Sequence, residues 1–190
     1  IEFASGSFEV DETMGNNPEE IGRIKENLIS LMQNERFDLD SIVVTSSASP
    51  EGTIRYNERL SQKRSEGISE HFSRWMNHYH DSLERERGFA VDEEGNIIIQ
   101  KRTHIPMMGR SSGENWRMLD HLVEKDTLMT EDEKKGYISS ADIKDIDQRE
   151  RFLQSLDCYR HMREKLYPRL RTVRFDFHLH RKGMVKDTVH

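Results

Sequence analysis

The sequence predicts an α/β (α+β) sandwich: a mixed sheet with helices on one face and a helical insertion before the last strand. Two patterns carry this expectation. Short apolar runs of strand length stand at Ile42-Val43-Val44 and Ile97-Ile98-Ile99, and residues 173–179 alternate strictly, Val173, Phe175, Phe177 and Leu179 against Arg174, Asp176 and His178. Between these runs, apolar residues return at the three-to-four spacing of an amphipathic helix. Strands that alternate with helices favour helices packed on one sheet. The 190 residues fit a single domain over 1–190, with 104–168 as the insertion.

Residues 1–10 read as a first strand, with Phe3 and Phe8 as apolar anchors and Gly6 as a bulge. Asn17-Pro18-Glu19-Glu20 is a helix start: Asn17 as cap, Pro18 at the first helical position, Glu20 completing a capping box. Ile21, Ile24, Leu28 and Leu31 continue at helical spacing. Leu39 and Ile42–Val44 form a buried strand, followed by the small-residue loop 46–52 and a second helix over about 53–83. Ile97–Ile99 form a third strand after the Glu94-Gly95-Asn96 turn, and residues 105–113 read as a loop because Pro106, Gly109 and Gly113 punctuate them.

In the insertion, Trp116, Leu119 and Val123 mark a short helix with Trp116 as a buried anchor. Residues 127–136 are charged and read as exposed. Phe152, Leu156, Tyr159, Met162 and Leu166 mark a longer helix that stops before Pro168. The unbroken alternation of 173–179 predicts a central or near-central strand, packed on the helix bearing Leu60, Ile68 and Phe72.

Composition narrows the function classes. Hydrophobic and charged residues each make up 34%, and the net charge is -6 with a pI near 5.9, so there is no general attraction to nucleic acid. The first twenty residues carry six carboxylates and no Lys or Arg, whereas residues 149–182 carry ten Lys and Arg against four acids. Two solvated faces of opposite sign explain this, and so does a site for an anionic partner near the C-terminus. Cys158, the only cysteine, permits no internal disulfide or thiolate metal site and reads as a structural thiol. No run has the length of a membrane span, so no membrane insertion by this segment is expected. The start at Ile1 reads as that of an excised or processed piece, with any targeting signal outside it.

The second helix holds the most informative residues. At about 100° per residue, with Leu60 at zero, Arg64 falls near +40°, Asn57 and Trp75 near +60°, Ile68 near +80° and Phe72 near +120°. Asn57 and Arg64 thus lie inside the apolar arc. A guanidinium held against a core needs an anion or several acceptors, and its planar fork suits a carboxylate. The free N–H groups and partial positive charge of the helix start add to that preference. A carboxylate pocket formed by residues 48–52 and the helix start is one reading, with Asn57 bracing the loop backbone. Pairing of Arg64 with an internal acid, Glu51 or Asp176, is the other.

The stretch Ile42-Val43-Val44-Thr45-Ser46-Ser47-Ala48-Ser49-Pro50-Glu51-Gly52, followed by Asn57, Leu60, Ser61, Arg64 and Ser65, resembles the OmpA-like domain family. That family shows an apolar strand, a loop with Asp and Gly, then Asn-x-x-Leu-Ser-x-x-Arg-Ala opening a helix. Phe3-Ala4-Ser5-Gly6-Ser7 looks like its opening strand and Leu170-Arg171-Thr172-Val173 like its closing segment. The resemblance spans roughly residues 1–102 and 168–182. Glu114-Asn115-Trp116 and residues 167–171 look like a longer variety from surface proteins of anaerobic Gram-negative bacteria.

The resemblance implies a β-α-β-α-β-β mixed sheet and a non-catalytic module of the periplasm, associated with the outer membrane. Such domains anchor their parent proteins to peptidoglycan by gripping the carboxylate and amine of diaminopimelate in the stem peptide. Carried over, it makes Arg64, Asn57, Ser49 and Gly52 the ligand-binding residues. Ser49 stands where the family has its Asp, so the ligand's ammonium lacks a counter-charge there. The alternative is a structural or assembly domain that binds an envelope protein partner and no longer binds peptidoglycan.

No cofactor, metal or catalytic residue is expected. His178 and His180 share one face of the last strand, and His71, His78 and His80 form a loose group without a placed third ligand. Ser46, Ser47 and Ser49 lie outside any Gly-x-Ser-x-Gly context, and no Gly-rich phosphate loop is present.

Overall fold

The computed structural model describes residues 1–4, 6–87 and 104–183. Three strands form a mixed sheet, β1 (Phe37–Ala48), β2 (Met107–Glu114) and β3 (Val173–Arg181), in the order β2-β1-β3. β1 is central. It runs parallel to β2, with Ile42 opposite Met107 and Ser46 opposite Ser111, and antiparallel to β3, with Val44 opposite Phe175. The helices α1 (Asn17–Met32) and α2 (Ile54–Arg87) flank β1 in the chain. The fold class is therefore α+β, a three-stranded mixed sheet with helices.

Alternation along β1 decides where the core lies. Ile42 and Val44 are fully buried and point to one face, where they meet Ile21 and Leu28 of α1 and Ile68, Phe72 and Met76 of α2. Both helices thus share that face. Phe175 closes the layer from β3, its ring edge-on to Phe72 at 5.6 Å between centroids.

β2 corrects the sequence expectation of a loop over 105–113. The glycine that suggested a loop is needed for packing: a Cβ at Gly109 would lie 2.5 Å from the Glu66 N and 2.6 Å from the Ser65 C. Backbone meets backbone there, which only a residue without a side chain permits. Ser61 and Ser65, fully buried, are the small residues on α2 that allow the approach. Gln62 then serves the outer edge of β2 like a strand. Its amide donates to the Gly109 carbonyl (3.1 Å) and accepts from the Ser111 N–H (2.8 Å).

The start of the chain also differs from expectation. Among the described residues, 1–10 form no strand. Asn17 is not the helix cap; Asn16 holds that position, and Asn17 is buried inside the first turn. Its amide instead accepts from the Glu2 N–H (2.6 Å) and donates to the carbonyls of Glu2 (2.9 Å) and Asp11 (2.8 Å). Side-chain bonds replace the ladder that a strand would have used. The expected strand at Ile97–Ile99 lies outside the described residues.

The segment after β2 folds around a core of its own. α3 (Trp116–Lys125), α4 (Glu131–Ser139) and α5 (Ile146–Leu153) pack Leu119, Leu122, Val123, Met129, Tyr137 and Leu153 together. A helical turn α6 (Tyr159–His161) runs on through a π-helical Met162–Leu166 into a 3₁₀ turn, Tyr167–Leu170. The single helix expected over Phe152–Leu166 is thus broken between α5 and α6. Cys158 is buried in this core, and burial pushes its thiol pKa up. Trp116 is half-buried, its indole covered by the Arg149 guanidinium at 4.2 Å. β3 is an edge of the three-stranded sheet among the described residues, not a central strand. Its pattern alternates because one face alone meets the core, and Leu179 stays 42% exposed.

Candidate functional site

The C-terminal end of β1 is tied to the segment that precedes β3. The Ser47 N–H donates to the Thr172 carbonyl (3.0 Å), and the Ser47 hydroxyl donates to the Leu170 carbonyl (2.6 Å). This tie brings Arg171 onto the loop. Its Nε donates to the Ser49 hydroxyl (3.2 Å) and its Nη2 to Glu51 Oε2 (2.5 Å), while Arg163 Nε donates to Glu51 Oε1 (2.8 Å). One carboxylate is thereby clamped by two guanidinium groups. Ser49 is buried and in turn donates to Glu51 Oε2 at 3.3 Å. Gly52, at φ +100°, turns the loop into α2, a conformation that favours glycine.

The first turn of α2 is satisfied from the insertion. Asp147 accepts from the Ile54 N–H at 2.8 Å, in the place where an anion suits a helix start. Asn57 is buried and does not brace the loop backbone. Its Nδ2 donates to Glu114 Oε1 (2.6 Å), and the Trp116 indole N–H donates to Glu114 Oε2 (2.8 Å). Burial raises the Glu114 pKa, against the pull of these two donors.

Arg64 is 3% exposed, inside the apolar arc as its spacing requires. It does not face the loop. Its Nε donates to the Ser7 carbonyl (2.9 Å), its Nη2 reaches the Ala4 carbonyl (3.5 Å), and its plane lies 4.9 Å from the Phe3 ring centroid. Neither internal acid considered from the sequence takes it. Glu51 is held by Arg163 and Arg171, and Asp176 by Arg174. Among the described residues, Arg64 has no carboxylate within ion-pair distance. Burial lowers its pKa, and the nearby positive charge of Arg171 lowers it further. A buried cation with only neutral acceptors is costly, on the scale of several kcal/mol.

Of the residues singled out from the sequence, the structure places Ser49, Gly52 and Asn57 around the loop and helix start, with Arg64 two turns beyond Asn57 along α2. Glu114 is noted in the sequence only within Glu114-Asn115-Trp116 and not as a partner of Asn57, and Asp147 has no local pattern that signals its place at the start of α2. Arg163 and Arg171 come from the basic stretch noted in the sequence. His180 Nδ1 lies 2.7 Å from Asp40, and among the described residues no three His, Cys, Asp or Glu side chains are placed to hold a metal ion. Among the same residues, no helix is long and apolar enough to cross a membrane.

Fold and site together define an α+β chain whose Arg64, on the helix that follows a polar loop, is buried with no acid partner among the described residues. No family model, curated protein or solved structure matches this chain.

Proposed function

We propose that this chain is a non-catalytic binding module of the Gram-negative cell envelope, of the OmpA-like kind, whose Arg64 receives a carboxylate of the peptidoglycan stem peptide. In this reading the module sits in the periplasm, associated with the outer membrane. The observation that carries it is the state of Arg64: a buried guanidinium without an acid of its own among the described residues. The sheet order supports it, since the strand, loop and helix of the motif are consecutive and β3 runs antiparallel beside β1. The loop serines are engaged in structural bonds, which favours binding over nucleophilic chemistry.

A second reading has its own support. Glu51 is already neutralised and Asp147 already occupies the start of α2, so the loop and the helix start are satisfied from within the chain. That arrangement suits a structural or assembly domain that binds an envelope protein partner.

Calorimetric titration with a diaminopimelate-containing stem-peptide fragment separates the two. Wild type binds weakly, Arg64→Ala removes binding, and Ser49→Asp strengthens it by roughly tenfold, the scale of one added charge pair. An absence of heat from both wild type and Ser49→Asp hands the site to the partner-binding reading.

A further inference from the structure

The two arginines that hold the loop between β1 and α2 sit on segments whose tyrosines bind a buried acid. Arg163 lies in the π-helical Met162–Leu166, four residues after Tyr159. Arg171 lies four residues after Tyr167, just past the Tyr167–Leu170 turn. Both guanidinium groups engage Glu51 of the loop. Both tyrosine hydroxyls donate to Glu150 of α5, Tyr159 to Oε1 (2.9 Å) and Tyr167 to Oε2 (2.8 Å). From this geometry we propose that the protonation state of Glu150 sets how firmly the insertion clamps the loop at Glu51: closed when the carboxyl is protonated, loosened when it is ionised.

The surroundings of Glu150 give the direction. Its side chain is buried, and the groups that face it are Gln154 just past α5, Tyr137 of α4, Tyr159 of α6, Tyr167 of the turn and Glu114 at the end of β2. These include no cation, and Glu114 is a second acid whose charge also favours a protonated neighbour. Arg149, next to Glu150 on α5, is turned to Asp120 and lies over the Trp116 ring. A charge formed in such a site is relieved by admitting water. The segments that border it are the ones bearing the tyrosines, and beyond Tyr159 lie Glu51 and Arg163, whose charges reach its hydroxyl. Leu170, in the same turn as Tyr167, accepts from the Ser47 hydroxyl, so movement there also reaches the end of β1. Burial pushes the Glu150 pKa up to about 7, so the closed clamp is fully stabilised below the ordinary 4.5 and loses that stabilisation as pH rises through about 7.

The test follows the loop and the acid separately, by NMR on the full chain. The Ser47 N–H donates to the Thr172 carbonyl, and its protection against hydrogen exchange reports the tie. Taken relative to Glu150→Gln at the same pH, that protection falls about tenfold between pH 6 and 8, the effect of a carboxyl whose pKa drops from about 7 to 4.5 when the clamp opens. A constant ratio overturns the proposal. Coupling of this kind is reciprocal. Opening the clamp from its other end, with Arg171→Gln, therefore lowers the proton affinity of the Glu150 carboxyl about tenfold, read from its carbon shift against pH. Loss of a cation acting through charge alone would raise it. An unchanged or raised affinity confines Glu150 to the stability of the insertion core and overturns its link to the loop. Arg163→Gln carries the same expectation if Arg171→Gln does not fold, which circular dichroism decides.

Discussion

Glu150 offers the sharpest physical test of the insertion core. Its carboxylate is 2% exposed and accepts from the Tyr159 hydroxyl (2.9 Å) and the Tyr167 hydroxyl (2.8 Å). No Lys, Arg or His among the described residues forms an ion pair with it. Burial therefore dominates and pushes its pKa up to about 7 from an ordinary 4.5, against the pull of the tyrosine hydrogen bonds. Between these two values the folded chain holds a proton that the unfolded chain has released. Stability is thus fully present below pH 4.5 and falls as pH rises toward 7. The shift corresponds to a loss of about 3 kcal/mol at most. Glu150→Gln cannot ionise, keeps a carbonyl acceptor for one tyrosine, and escapes this loss. Urea unfolding of both proteins at pH 5, 6, 7 and 8, followed by the fluorescence of Trp116, measures the difference; a Trp75→Phe background isolates that signal. The variant gains on wild type from pH 5 to 7 and the gain levels off by pH 8, where the carboxyl is ionised in both states, because groups common to both proteins cancel in the comparison. Parallel pH profiles would refute the reasoning and show that the carboxylate is charged and satisfied where it stands.

Two further outcomes follow from packing and hydrogen bonding. Gly109→Ala drives a methyl into the α2 backbone, 2.5 Å from the Glu66 N, and costs at least about 1–3 kcal/mol, read as a fall in Tm. Asn57→Ala removes one of the two donors to the half-buried Glu114 and costs about 1.5–3 kcal/mol in chemical denaturation near pH 7.

The elements that were legible share a physical property: their signal is local. α2 and β3 bury one stripe or one face and β1 carries a continuous buried run, and the spacing of Ile42, Val44, Ile68, Phe72, Phe175 and Phe177 records it directly. β2 was hidden because its defining residue serves tertiary contact. Gly109 marks a close approach to Ser65 and Glu66, and a glycine in that role has the same letter as one in a turn. The reverse error arose at the N-terminus. Phe3 and Phe8 gave strand-like anchors, yet Phe3 covers Arg64 and Phe8 lies beneath Lys63 at 4.6 Å, while Asn17 holds the backbone.

The same distinction governs the site. That Asn57 and Arg64 lie within the apolar arc of α2 follows from helical periodicity, because position on a helix is a local property. Their partners are not local. Asn57 reaches Glu114 and Arg64 reaches Ser7, each across 57 residues of sequence, in opposite directions along the chain. A polar residue on an apolar face announces that a partner must exist, since leaving it bare is too costly. Which partner it finds depends on which segments the fold delivers there. For Asn57 the fold delivers an acid, and the requirement is met. For Arg64 it delivers, among the described residues, carbonyl oxygens, which satisfy hydrogen bonds but leave the charge uncompensated. Among the described residues that state is costlier than an apolar side chain of similar volume in the same space, and this is the cost that the proposed carboxylate ligand would offset.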